Sequence, residues 1–226
     1  ECLTAIKDAG IQPNHWEIFH QLRKEGRLPL RIGALWFTPR SLEEARSLVE
    51  RIKPISRPGV DPHDDHVFSI GVKLALDGSG GARTAWMHEE WNKDYVHTDH
   101  GNKGYPVMDL GLAGALVRLY HDAGLHMGIH SIGDKAIDWT VNAFEALLKE
   151  KPVYGMRHSI IHSNTPTDAA IEKMAELQRR YDAGYPEAQA PFMWWIGDTY
   201  VGNLGPMRSL RLKPLKTFQD HEVKWA

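Results

Sequence analysis

An apolar run at 125–129 that ends in His130 and turns at once into a helical pattern constrains this chain most. The junction reads GIHSIGDKAI from Gly128 to Ile137, and the helical pattern continues over 135–149. (β/α) barrels build active sites in this way, from a strand that delivers a polar residue at its C-terminal end just before a turn into a helix. His130 is therefore the first candidate for chemistry. Partners on other strands would make it a metal ligand rather than a lone imidazole.

The rest of the chain repeats the unit. Residues 29–37 (PLRIGALWF), 67–76 (VFSIGVKLAL), 125–130, 157–162 and 185–190 read as strands, and 223–226 as the opening of another. Helical patterns at 15–25, 42–52, 108–123, 135–149, 167–181 and 206–220 alternate with them. Ser41 with Glu44 three residues on is a capping box, and Leu42, Ala45, Leu48, Val49 and Ile52 then fall on one helical face. Residues 3–9 read as the tail of a helix closed by Gly10 as its C-cap. The proline-rich 54–65 is a loop; the glycine-rich 77–105, with Trp86 and Trp91, is long enough to be a lid or binding loop.

This alternation predicts parallel βαβ units. A doubly wound sheet would satisfy it too, but no GxGxxG follows an early strand, so a dinucleotide fold has no support. The expected fold is α/β, a (β/α)8 TIM barrel that is incomplete, its first two strands and the end of its last strand missing. Both ends read as cut from something longer.

Composition removes several function classes. A chain of 226 residues that is 42% hydrophobic and 25% charged is ordinary globular material. A formal charge of −2 gives no reason to expect nucleic acid or an anionic membrane as partner. No apolar run approaches the roughly 18 residues of a membrane helix, and no signal peptide is in view. The single cysteine, Cys2, excludes an internal disulfide and a thiolate cluster, which fits a reducing, cytoplasmic location. Thirteen histidines make metal chemistry worth testing, although at that number chance clusters are common.

Three of the strands carry residues able to hold a metal. Lys73 lies late in its strand, while His130 and His162 end theirs. Neutral imidazole is a common ligand of zinc-like ions; the alternative for each histidine is a core imidazole bonded to a backbone carbonyl. A lysine in a buried strand is the odd member, because an unpartnered ammonium is costly to bury. Carbamylation by carbon dioxide would turn it into a carboxylate that bridges two cations; the alternative is an ion pair with Asp77 or Asp134.

The stretches VKLALDGSGGARTAWM, GNKGY, GIHSIGDKAI, RHSIIHS and QAPF, in this order and spacing, resemble the amidohydrolase superfamily. The closest likeness is to its amidohydrolase-3 branch, which includes N-substituted formamide deformylases. The resemblance implies one partial metal-dependent hydrolase barrel domain over 1–226, with Lys73 as carboxylated bridging lysine and His130 and His162 as metal ligands and catalytic residues. It implies one or two divalent ions, zinc first and iron, manganese or nickel also suited, with carbon dioxide for the lysine. A small-molecule amide or formamide would be the substrate, cleaved at its C–N bond by metal-activated water. The family's His-x-His pair and its late aspartate have no counterpart in these residues, and Ile161 stands where the family often has an acid. The alternative is a catalytically silent barrel relative acting as a binding or regulatory module; a sugar- or phosphate-binding barrel would need a phosphate loop that is absent.

Other residues are weighed singly. Arg83 could hold a substrate carboxylate or brace its loop. His97 could touch substrate from the long loop, with Asp99 and His100 beside it, or lie on the surface. Gln189 and Phe192, at a strand end, suit substrate contact or packing. Asp134 is expected to cap a helix, with a catalytic role as the alternative; Trp194 and Trp195 could wall an apolar pocket but are expected to pack a loop; His63-Asp64-Asp65-His66 looks like a ligand cluster but is expected to be a solvated loop. An open barrel seam exposes strand edges and apolar surface, which makes a homo-oligomer a possible partner state.

Overall fold

The structure is a computed structural model and describes residues 3–56, 66–97 and 99–226. Of the histidine–aspartate loop noted above, His63, Asp64 and Asp65 lie outside the described residues. Six strands, β1 (Ala5–Ile11), β2 (Arg31–Phe37), β3 (Val67–Ala75), β4 (His126–Ser131), β5 (Ser159–His162) and β6 (Tyr185–Glu187), form one sheet in chain order. The β1–β2, β2–β3 and β5–β6 ladders are parallel. Parallel neighbours need a crossover each, and helices supply them: α1 (Pro13–Lys24), α2 (Leu42–Ile52), α4 (Leu110–Asp122), α5 (Asp134–Glu150) and α6 (Asp168–Tyr181). A doubly wound sheet would reverse its strand order at a switch point; strict chain order is the winding of a (β/α) barrel. No helix among the described residues is long and apolar enough to cross a membrane.

Contacts divide the chain into two compact units, one of residues 1–74 with 114–128, the other of 75–113 with 129–226. In the first unit, Ile32 to Trp36 of β2 are all buried, as in a strand covered on both faces. Ser41 caps α2 as expected, accepting from the Glu44 N–H, and Ala45, Leu48 and Ile52 form the buried face. Gly71 has φ +150°, and a Cβ there would stand 1.9 Å from the His126 carbonyl oxygen. Only glycine allows so close a backbone approach.

The expected helix at 3–9 is instead strand β1. Its alanines favour helix locally, but registered pairing with β2, Ala5 opposite Arg31 through Ala9 opposite Leu35, overrides that preference. Gly10, expected as a C-cap, sits at a register shift in the ladder with φ +140°, the signature of a bulge.

In the second unit, α5 buries Ala136, Ile137, Val141, Phe144 and Leu148 on one face. Thr167 caps α6 through the Ala170 N–H. The long loop at 77–105 contains one short helix, α3 (Lys93–Val96), and is otherwise irregular. Its Ala85, Met87 and Trp91 share a core with Ile132, Tyr200, Leu204 and Leu212. Tyr200 and Leu204 belong to α7 (Pro191–Leu204), a helix the sequence reading did not find. The expected helix at 206–220 is two short ones, α8 (Pro206–Ser209) and α9 (Leu215–Asp220). Lys213 between them has φ +49° and Pro214 follows, which stops a continuous helix. Residues 223–226 form no assigned strand. Yet Ala226 donates to the Pro186 carbonyl at 3.1 Å and accepts from the Ala188 N–H at 2.8 Å, the bonding of a parallel bridge beside β6.

Candidate metal centre

β4 and β5 end in the two histidines. The His130 and His162 rings lie edge to face with centroids 4.6 Å apart, and the Ser163 N–H donates to the Ser131 carbonyl at 3.1 Å, tying the strand ends together. Phe192, at the start of α7, covers His162 with its ring at 5.8 Å. The structure thus brings together three of the expected site residues, His130, His162 and Phe192.

His130 stands on a buried carboxylate whose part the sequence did not reveal. Asp77 accepts backbone N–H bonds from Ile132 at 3.0 Å, Gly133 at 2.9 Å and Trp86 at 3.0 Å. It thereby holds the turn into α5 and the start of the long loop as one piece. Gly133 is required there, since a Cβ would meet the Trp86 carbonyl oxygen at 2.1 Å. Burial pushes the Asp77 carboxyl up to about 7, against the pull of the three N–H donors. His130 Nε2 is 3.7 Å from Asp77 Oδ1 and 2.8 Å from the Gly78 carbonyl oxygen. A carbonyl only accepts, so in this arrangement Nε2 carries the ring proton.

The ends of β5 and β6 meet at a second buried charge. Lys213 is 7% exposed. Its Nζ donates to Asn164 Oδ1 at 2.6 Å, to the Ala188 carbonyl and, at 3.5 Å, to the His162 carbonyl, and it lies 5.7 Å from the Phe192 ring. Burial lowers its ammonium to about 8. His162 (φ 76°), Ser163 (φ 41°), Gln189 (φ 45°) and Lys213 (φ 49°) all adopt left-handed backbone. Each such residue costs about 1–2 kcal/mol, a strain that persists only where surrounding structure holds it.

The remaining expected residues are placed as follows. Lys73 is buried in β3 at 6% exposure, opposite Phe37 of β2. Arg83 takes the loop-bracing one of its two expected roles. Its Nε and Nη2 bind Asp99 at 2.6 and 2.5 Å, and Nη1 reaches the Asn92 carbonyl at 3.0 Å and Asn203 Oδ1 at 3.4 Å. His97 is exposed and ends α3 in a left-handed turn. Gln189 is half-buried, and its Oε1 is shielded and has no hydrogen-bond partner among the described residues. Asp134 is the first residue of α5 rather than its cap; its Oδ1 accepts from the His88 and Lys135 N–H groups. Trp194 (88% exposed) and Trp195 (71%) correct the expectation of packing.

Two imidazoles at this separation fit two corners of a tetrahedral zinc-type site. Among the described residues no group of three His, Cys, Asp or Glu side chains gathers around a common point. Were an ion to bind here, His130 and His162 would offer two of its ligands, and His130 would have to release Gly78 to bind through Nε2.

Parallel strands wound in chain order, with helices as their crossovers, define the class as a (β/α)-barrel fold. Residues 3–226 match the sequence profile described as "Amidohydrolase family", in its amidohydrolase-3 form, and the chain belongs to that family. It is 29% identical over 153 residues to the protein YtcJ of Bacillus subtilis (strain 168), which carries an amidohydrolase name; the match covers 68% of this chain and 26% of that protein. Two solved structures, each titled an uncharacterized metal-dependent hydrolase, share the fold. The one from Pyrococcus horikoshii OT3 has a TM-score of 0.72 at 22% identity over 99% of this chain. The one from Pyrococcus furiosus has 0.71 at 24% identity over 97%. The chain spans 41% of each of those two structures.

Proposed function

We propose that the chain forms part of a metal-dependent amidohydrolase that cleaves a C–N bond of a small amide or formamide. The observation that carries this reading is the pairing of His130 and His162, ring to ring at 4.6 Å, on neighbouring strand ends. His130 and His162 would hold a divalent ion, zinc by donor type. Such an ion, when bound, acidifies water and polarises a substrate carbonyl. Asp77 fixes the turn that carries His130, and Phe192 excludes water from one side of His162. The role proposed for Lys73, carboxylation by carbon dioxide, rests on its burial and on its place in the family pattern.

Elemental mass spectrometry of protein purified with zinc and bicarbonate tests the reading. It expects bound metal that falls several-fold in H130Q and in H162Q, and an intact mass raised by one carbon dioxide that K73R removes. It also expects hydrolysis of N-formyl amines by the metal-loaded protein. Metal content unchanged in both histidine variants would overturn it. The bond from His130 Nε2 to Gly78 favours a second reading, a barrel relative that binds without catalysis; absence of metal from the wild type would support that one.

A further inference from the structure

A buried ammonium sits where it contributes least to stability. Lys213 is enclosed by neutral acceptors, Asn164 Oδ1 and the carbonyls of Ala188 and His162, and among the described residues no carboxylate is bonded to it. Burying an ammonium without a counter-ion is unfavourable, and an apolar side chain of similar volume usually does as well or better for stability. The acceptors explain its presence. One lies at the end of β5, one just past it and one just past β6, and the Lys213 backbone N–H also binds the Asn164 carbonyl at 2.6 Å. Around this single Nζ four non-glycine residues, Lys213 included, take left-handed backbone. Left-handed His162 lies at the clamped carbonyl, and left-handed Gln189 directly follows Ala188.

We propose that Lys213 is a positioning residue that clamps the ends of β5 and β6 in their strained conformation and so sets the direction of the His162 imidazole. The inference deepens the metal-hydrolase reading and rests on it for its consequence, but the clamp itself is a property of the metal-free protein. Its ammonium reaches strand ends that no local sequence holds together, and its Nζ lies 5.7 Å from the ring of Phe192, which covers His162.

The test uses K213M, which keeps the volume and removes the charge, with histidine-ring NMR of the metal-free protein and H162Q to assign the signal. The clamp predicts a His162 ring resonance that shifts or splits in K213M while the midpoint of urea unfolding is unchanged or raised. Cobalt titration of the same variant should show affinity weaker by about tenfold to a hundredfold, the usual loss when a group that orients a ligand is removed. K213A with added ethylamine, which can refill the ammonium position, should restore the His162 signal. An unchanged His162 resonance, or a K213M protein that unfolds together with a K213A protein that ethylamine does not restore, overturns the clamp. Wild-type protein that binds no cobalt would sink the metal reading alone, leaving the metal-free ring signal to decide the clamp.

Discussion

Asp77→Asn probes the strongest electrostatic feature of the site. The carboxyl is buried and rises from an ordinary 3.8 to about 7 because burial penalises its charged form more than three N–H donors favour it. A carboxyl raised in the folded state binds its proton more tightly there than in the unfolded chain. Its contribution is therefore fully present below about pH 4 and is lost as pH rises through about 7. A rise of about three units, at about 1.36 kcal/mol each, bounds the swing at about 4 kcal/mol. Asparagine cannot ionise and keeps one acceptor oxygen for the N–H groups of Ile132, Gly133 and Trp86. Losing the second oxygen costs about 1–3 kcal/mol. Urea unfolding followed by tryptophan fluorescence, with chelator present, should find D77N the less stable protein at pH 5. The difference should shrink by about 2–4 kcal/mol, or reverse, by pH 8. A stability difference that stays constant from pH 5 to pH 8 would refute the reasoning, and with it the account of Asp77 as a desolvated carboxylate.

Four further outcomes follow from named contacts. Arg83→Ala should loosen the loop that the Asp99, Asn92 and Asn203 contacts hold; a lower thermal midpoint and faster proteolysis within 77–105 would register it. The Arg83 guanidinium holds Asp99 down to about 2, so the brace should persist in acid and fail only as pH falls toward that value, seen as the onset of proteolysis. Gly71→Ala puts a Cβ into the His126 carbonyl at φ +150° and should cost about 4 kcal/mol or more, leaving little soluble protein. Ser41→Ala removes the α2 cap at about 1 kcal/mol, a fall in Tm of about 2–4 °C by calorimetry.

Much of the fold was written in local pattern. The apolar runs of β2 to β5 and the helical faces of α2, α5 and α6 can be read within a few residues, because burial imposes periods of 2 and 3.6 on neighbouring side chains. His130 and His162 were legible for the same reason, as polar residues closing apolar runs. Segments whose conformation depends on distant partners were not. β1 carries helix-forming alanines and becomes a strand only through its ladder with β2. α7 lacks a one-sided apolar face, with exposed Trp194 and Trp195 beside buried Tyr200 and Leu204, so its sequence carries no helical stripe to read.

The residues that support the site were decided by tertiary structure alone. Asp77 meets Ile132 and Gly133 across 55 and 56 positions, and Lys213 meets Asn164 across 49. Arg83 could have served a ligand or a loop; Asp99, Asn92 and Asn203 made it a brace. By itself the sequence determined which strands recur, which family pattern they follow and which imidazoles end them, since these are properties of short runs. Only the folded chain decided which buried charges hold those imidazoles in place, because a charge takes its role from whatever the fold brings within about 3 Å of it.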